Sequence, residues 1–116
     1  MLSIAIYSDQ IEDVATLKTL IQDFLIESKT MAKISCFSNP EEIIAIPNRY
    51  DAYFMDMDSA TEITVLGKQM KQIDSGSQFV YMSINPNVAH LAAKVRADYF
   101  ITKPYDKEEL VEILTE

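Results

Sequence analysis

Short apolar runs alternate with longer amphipathic stretches along the whole chain. Leu2-Ser-Ile-Ala-Ile-Tyr7 opens it as a strand-like run. Over residues 10–28, Ile11, Val14, Leu17, Ile21, Phe24 and Leu25 recur at helical spacing. Ala32 to Phe37 alternates as a strand does. Asn39-Pro40-Glu41-Glu42 predicts a helix start: a capping amide, proline at the first helical position, then acids near the positive end of the helix dipole. Pro47 is expected to stop that short helix. Tyr53-Phe54-Met55, between Asp51 and Asp56, is apolar on both faces, as a central strand covered on both sides would be.

The second half repeats the theme. Ile63, Leu66, Met70 and Ile73 predict a helix over residues 61–73, with Gly76 at the following turn. Phe79 to Met82 reads as another central strand. Asn85-Pro86 starts a helix with Val88, Leu91, Ala92 and Val95 on one face, and Tyr99 to Thr102 is the last strand. Asp106 and Glu109 resemble a capping box ahead of a short final helix. Five strands alternating with five helices predict an α/β fold: a five-stranded parallel sheet, doubly wound, joined by right-handed crossovers. The 116 residues make one domain, 1–116, and the final helix stops so soon that the chain reads as cut from a longer protein.

Composition removes several classes of function. Ten Lys and Arg against 18 Asp and Glu leave a net charge of −8, which lacks the footprint for non-specific nucleic-acid binding. One cysteine, Cys36, and one histidine, His90, allow neither an internal disulfide nor a Cys/His zinc site. Gly67 and Gly76 are too few and too far apart for a glycine-rich phosphate loop. No basic n-region precedes an apolar stretch, and no apolar run nears the ~18 residues of a membrane span, so a cytoplasmic setting is the default expectation. Cys36 is expected to be a small buried hydrophobe, Met55, Met57 and Met82 to fill the core, and His90 to lie at the surface.

In an open parallel sheet, ligands sit beyond the carboxyl ends of the strands, where strand order reverses. The polar residues at those ends are Ser8 and Asp9, then Asp56 and Asp58, then Ser83, then Lys103-Pro104. With strand order 2-1-3-4-5 they converge. Neighbouring carboxylates repel unless a cation sits between them, and oxygen ligands suit a hard ion such as Mg²⁺. Asp56 can then attack phosphorus as a nucleophile, with Lys103 and Ser83 receiving the incoming oxygens. Each residue also has a plainer reading: Asp9 as a helix cap, Lys103 as a solvated lysine, Ser83 as a strand-end hydroxyl. Only together do they point to chemistry.

Four segments carry a family resemblance: Ile4-Ala-Ile-Tyr-Ser-Asp9, Tyr50-Asp-Ala-Tyr-Phe-Met-Asp56, Phe79-Val-Tyr-Met-Ser83 and Ala97-Asp-Tyr-Phe-Ile-Thr-Lys-Pro-Tyr-Asp106. In these the chain resembles the receiver domains of two-component response regulators, and the last segment is similar to receivers that precede LytTR-type DNA-binding domains. The resemblance implies a flavodoxin-like fold and a phosphoryl group accepted on Asp56 from a sensor histidine kinase, in a reaction needing Mg²⁺. It makes Asp9, Asp56 and the backbone carbonyl of Asp58 the metal ligands, and Lys103 the phosphate partner. It also implies a Lys103–Pro104 cis peptide, a switch through Ser83 and Phe100, and a homodimer through the face of the fourth helix, fifth strand and fifth helix, with His90, Lys94, Arg96, Tyr99 and Lys107 on it. It departs from the family at four places. Ser8 stands where the first of two acids is usual, the loop after Asp56 lacks Pro and Gly, Ile84 replaces a small residue, and Phe100 lacks a tyrosine hydroxyl.

Two rival readings follow from the same residues. A degenerate receiver would act as an interaction module without phosphate. Phe54-Met-Asp-Met-Asp58 also resembles the D-x-D motif of haloacid-dehalogenase-type phosphatases, but two strands precede it here and no acidic strand follows Lys103.

Overall fold

The computed structural model describes residues 2–8, 10–45, 50–73, 76–103 and 107–114. The elements run β1 (Leu2–Ser8), α1 (Ile11–Glu27), β2 (Ala32–Phe37), α2 (Pro40–Ile44), β3 (Ala52–Asp56), α3 (Ala60–Ile73) and β4 (Gln78–Ser83). A 3₁₀ turn (Pro86–Val88) then leads into α4 (Ala89–Lys94), followed by β5 (Tyr99–Thr102) and α5 (Lys107–Leu114). All four strand pairings are parallel, and the sheet order is β2-β1-β3-β4-β5. The expected doubly wound, flavodoxin-like architecture is therefore present. Pro47 and Asp106, expected to end α2 and to begin α5, lie outside the described residues.

Strand alternation sorts the core into two layers. Ala5, Tyr7, Tyr53, Met55, Phe79 and Tyr81 face α2, α3 and α4, packing on Ile43, Leu66, Met70 and Ala92 among others. Ile4, Ile6, Phe54, Val80, Met82 and Ile101 face α1 and α5, packing on Leu17, Ile21, Leu25 and Leu110. Each large side chain withdrawn from water in this way contributes on the order of 1.5–3 kcal/mol. Met55, Met57 and Met82 are core residues, as expected. Cys36 is not: it is exposed, because β2 is an edge strand with β1 on one side only.

Aspartates pin the strands at the end of the sheet remote from Asp56. Asp51 Oδ2 accepts from the Ser3 amide at 2.7 Å, and Asp98 Oδ2 accepts from the Phe79 amide at 2.8 Å. Both expected Asn-Pro helix starts are present. Asn39 accepts from the Glu42 amide and Asn85 from the Asn87 amide. The second of these begins a 3₁₀ turn, so α4 itself is only six residues long.

Two packing details generate tests. Gly67 brings α3 close to the sheet: a Cβ there would lie 2.6 Å from the buried Tyr81 hydroxyl and 3.1 Å from Val95 Cγ2. Gly67→Ala should cost about 1–2 kcal/mol in urea unfolding despite alanine's better helix propensity, and Tyr81→Phe should recover part of that loss in the double variant. Separately, α1 and α4 both end in Schellman motifs whose left-handed residue is not glycine, Lys29 (φ 56°) and Arg96 (φ 62°). Lys29→Gly should stabilise the fold by up to about 1 kcal/mol, raising Tm by a few degrees in a thermal melt.

Candidate functional site

The register of the sheet builds the site. Ser8 is the partner of Asp56 across β1 and β3, and Ser83 the partner of Thr102 across β4 and β5. One residue beyond β5, the Lys103 amide donates to the Ser83 carbonyl at 2.8 Å, which carries the ladder past the strand and fixes where the lysine side chain starts. These strand ends bring Ser8, Asp56, Ser83 and Lys103 to one edge of the sheet, as the strand-end argument expects. Asp9 and Pro104 lie outside the described residues, as does the peptide geometry between Lys103 and Pro104.

At the centre stands Asp56, 5% exposed. Its Oδ1 lies 2.7 Å from Lys103 Nζ, and its Oδ2 accepts from the Ser8 hydroxyl at 3.0 Å. Ser8 Oγ in turn accepts from the Gln10 amide at 3.0 Å, so the hydroxyl is oriented toward the carboxylate. Burial pushes the Asp56 carboxyl above its ordinary range. Lys103 and the Ser8 hydrogen bond oppose that shift without cancelling it, and the nearby Asp58 charge adds to it. The site therefore holds a carboxylate whose ionised form is undercompensated.

Asp58 takes a place that the sequence does not suggest. The resemblance gives a part only to its backbone carbonyl, as a metal ligand. Its side chain accepts, through Oδ1, from the Ser83 hydroxyl at 3.0 Å and from the Ile84 amide at 2.8 Å, and the same oxygen lies 3.9 Å from Lys103 Nζ. Ser83 Oγ thus donates to Asp58 while accepting from the Asn85 amide at 3.1 Å. The loop carrying Asp58 is anchored on both sides. Met57 is buried and its amide bonds the Met82 carbonyl, while Ser59 and Glu62 start α3, with Glu62 accepting from the Tyr7 hydroxyl at 2.9 Å. The spacing of Asp58 two residues after a strand-end aspartate was the available signal, but spacing does not say where a side chain turns.

The remaining sequence-derived residues are spread over β5, the segment after β4, and the fourth and fifth helices. Phe100 is half-buried against the α3–α4 side of the sheet and is the β5 partner of Tyr81. Ile84 is exposed at the rim. His90, Lys94 and Arg96 are exposed on or just after α4, and Tyr99 is half-buried on β5. Lys107 begins α5, and its side chain lies outside the described residues. Among the described residues no cluster of three or more His, Cys, Asp or Glu side chains could hold a metal ion. Of the ligands the resemblance implies for a hard cation, Asp56 and the Asp58 segment lie at this edge of the sheet, and Asp9 is outside the described residues. A buried carboxylate short of positive charge fits such an ion. Among the described residues no helix is long and apolar enough to cross a membrane.

The sign of the Asp56 shift makes a stability prediction. A carboxyl raised above its unfolded value destabilises the folded state once ionised. That loss is absent below the ordinary carboxylate range and grows as pH rises through the folded value. At neutral pH Asp56→Asn should therefore be more stable than the parent, by about 0.5–2 kcal/mol, the size of a common single stabilising substitution. Thermal melts across pH should show the advantage shrinking as pH falls through the acid range.

No protein-family model and no curated protein sequence matches the chain. Solved structures do. A response regulator from Thermotoga maritima superposes with a TM-score of 0.82 at 13% identity, over 99% of this chain and 95% of that one. The response regulatory domain of protein mrkE from Klebsiella pneumoniae gives 0.81 at 20% identity, over 98% and 93%. The BeF3-activated DrrB receiver domain, DrrB being a response regulator of Thermotoga maritima, gives 0.76 at 13% identity, over 99% and 95%. At these identities the likeness is one of fold, and the fold of this chain is that of the response-regulator receiver domains.

Proposed function

We propose that the chain is a phosphoacceptor receiver of a two-component signalling system, with Asp56 as the acceptor. One observation carries the reading: a buried carboxylate at the carboxyl end of a central strand, with a lysine ammonium 2.7 Å from one oxygen. A carboxylate oxygen of Asp56 attacks phosphorus of a phosphohistidine in a sensor histidine kinase. The P–N bond breaks, the imidazole leaves with a proton from solvent, and an acyl phosphate remains on Asp56. Lys103 neutralises charge on the transferred oxygens, and the Ser83 hydroxyl and Ile84 amide, which donate to Asp58 Oδ1 without phosphate, donate to them once the phosphoryl group is in place. Asp9, Asp56 and the Asp58 carbonyl would hold Mg²⁺, which when bound supplies positive charge for the transferring phosphoryl group.

On this reading the protein is a switch, modified once per signal, and no turnover enzyme. Phosphorylation shifts the population of states in which Ser83 moves inward and Phe100 turns, changing the α4-β5-α5 face that meets a partner or a second copy. The acidity of the domain directs that contact to protein rather than nucleic acid. A second reading, an interaction module independent of phosphate, draws support from one specific feature. Ser8 supplies a neutral hydroxyl where an acid would strengthen cation binding.

Intact-mass measurement after treatment with acetyl phosphate separates the two. The parent should gain a single phosphoryl mass in the presence of Mg²⁺ and far less without it. Asp56→Asn should gain none, and Lys103→Ala should be slowed by roughly two orders of magnitude, as loss of a charge-stabilising group at a reacting centre commonly costs. A parent that takes no label while binding its partner unchanged would establish the interaction module instead.

A further inference from the structure

Three donors converge at the mouth of the site: the Ser83 hydroxyl, the Ile84 amide and the Lys103 ammonium. Such a set, two directed hydrogen bonds and a cation, is an anion cradle. One oxygen already fills it. Asp58 Oδ1 lies 3.0 Å from Ser83 Oγ, 2.8 Å from the Ile84 nitrogen and 3.9 Å from Lys103 Nζ.

We propose that Asp58 is an internal competitor for this cradle, so that an incoming tetrahedral oxyanion must displace its carboxylate before it can be held beside Asp56. The consequence for signalling rests on the receiver reading; the occupancy rests on geometry alone. Three features support it. The Asp58 carboxylate is tethered, through anchored neighbours at Met57 and Ser59, so its effective concentration at the cradle is far above that of a free anion. It is 41% exposed, so it can swing to water when displaced without leaving a buried charge. Its charge also repels an approaching anion over the few ångströms that separate it from Asp56. Asp58 therefore acts as a gate on anion binding, setting how much phosphodonor is needed and how readily the switch rests unmodified.

The test uses two variants, Asp58→Asn, which keeps the oxygen and volume without the charge, and Asp58→Ala, which empties the cradle. Inorganic phosphate is titrated while the amide resonance of Ile84 is followed by NMR. Labelling by acetyl phosphate with Mg²⁺ is followed in parallel by intact mass. Asp58→Ala should respond at roughly tenfold lower phosphate than the parent, corresponding to the loss of a charged competitor, with Asp58→Asn between them. Labelling of Asp58→Ala should be faster by a similar factor. If the Ile84 resonance of both variants responds at the parent's phosphate concentration, the gate is overturned, whatever the labelling. If the variants bind phosphate more tightly but neither they nor the parent is labelled at Asp56, the gate stands and the receiver reading falls. If all are labelled at one rate with unchanged phosphate response, the receiver reading stands and the gate falls.

Discussion

A carboxylate buried at the end of a central strand is an electrostatic debt that the rest of the fold is arranged around. Asp56 cannot be stripped of water unless something nearby compensates its charge. Lys103 does so from the end of β5, two strands away, and Ser8 does so from the adjacent end of β1. Neither contact survives a slip of register, because a shift of one residue turns every side chain to the opposite face. The aspartates at the other end of the sheet, Asp51 and Asp98, hold the register that makes these contacts possible. The core fixes the strands, and the strands put unlike charges together where water is scarce.

Compensation at the site is incomplete, and that is chemically useful. Lys103 lies within ion-pair distance of two carboxylates, Asp56 and Asp58. The second carboxylate is spread over the Ser83 hydroxyl and the Ile84 amide, and the first is left with its carboxyl raised by burial. An acid in that condition gains from anything that brings positive charge to it. A neutral Ser8 in place of a further acid lowers the negative charge that would draw a cation in. Yet its hydroxyl, oriented by the Gln10 amide, still holds Asp56 Oδ2 in a fixed direction.

Much of this is legible in the amino-acid sequence alone. Strands such as Tyr53 to Met55 advertise burial on both faces, and the Asn39-Pro40 and Asn85-Pro86 starts are local chemistry that tertiary contacts do not override. Strand order then brings the strand ends together by topology alone. Features that depend on three-dimensional proximity were not legible. Cys36 looks like any other small apolar strand residue until its strand proves to be an edge. Gly67 reads as an indifferent residue within a helix, and its reason is the phenol of Tyr81 against it. The resemblance gives Asp58 a part only through its backbone carbonyl, and sequence carries no information on rotamer; its side chain turns toward the donors that the β4 end presents.

The route from the site to the surface is short. Ser83 Oγ donates to Asp58 and accepts from the Asn85 amide, and the Asn85 side chain caps the 3₁₀ turn that leads into α4. α4 is six residues long, too short to hold its shape by its own hydrogen bonds, so its position is set by packing of Val88, Ala92 and Val95 on the sheet. An element held by packing rather than by internal rigidity can be re-seated at small cost. Val95 also lies against Gly67, where α3 comes closest to Tyr81, and Phe100 pairs with Tyr81 from β5. The hydroxyl at the end of β4 and the aromatic residues on its inner face therefore both bear on one short helix, α4.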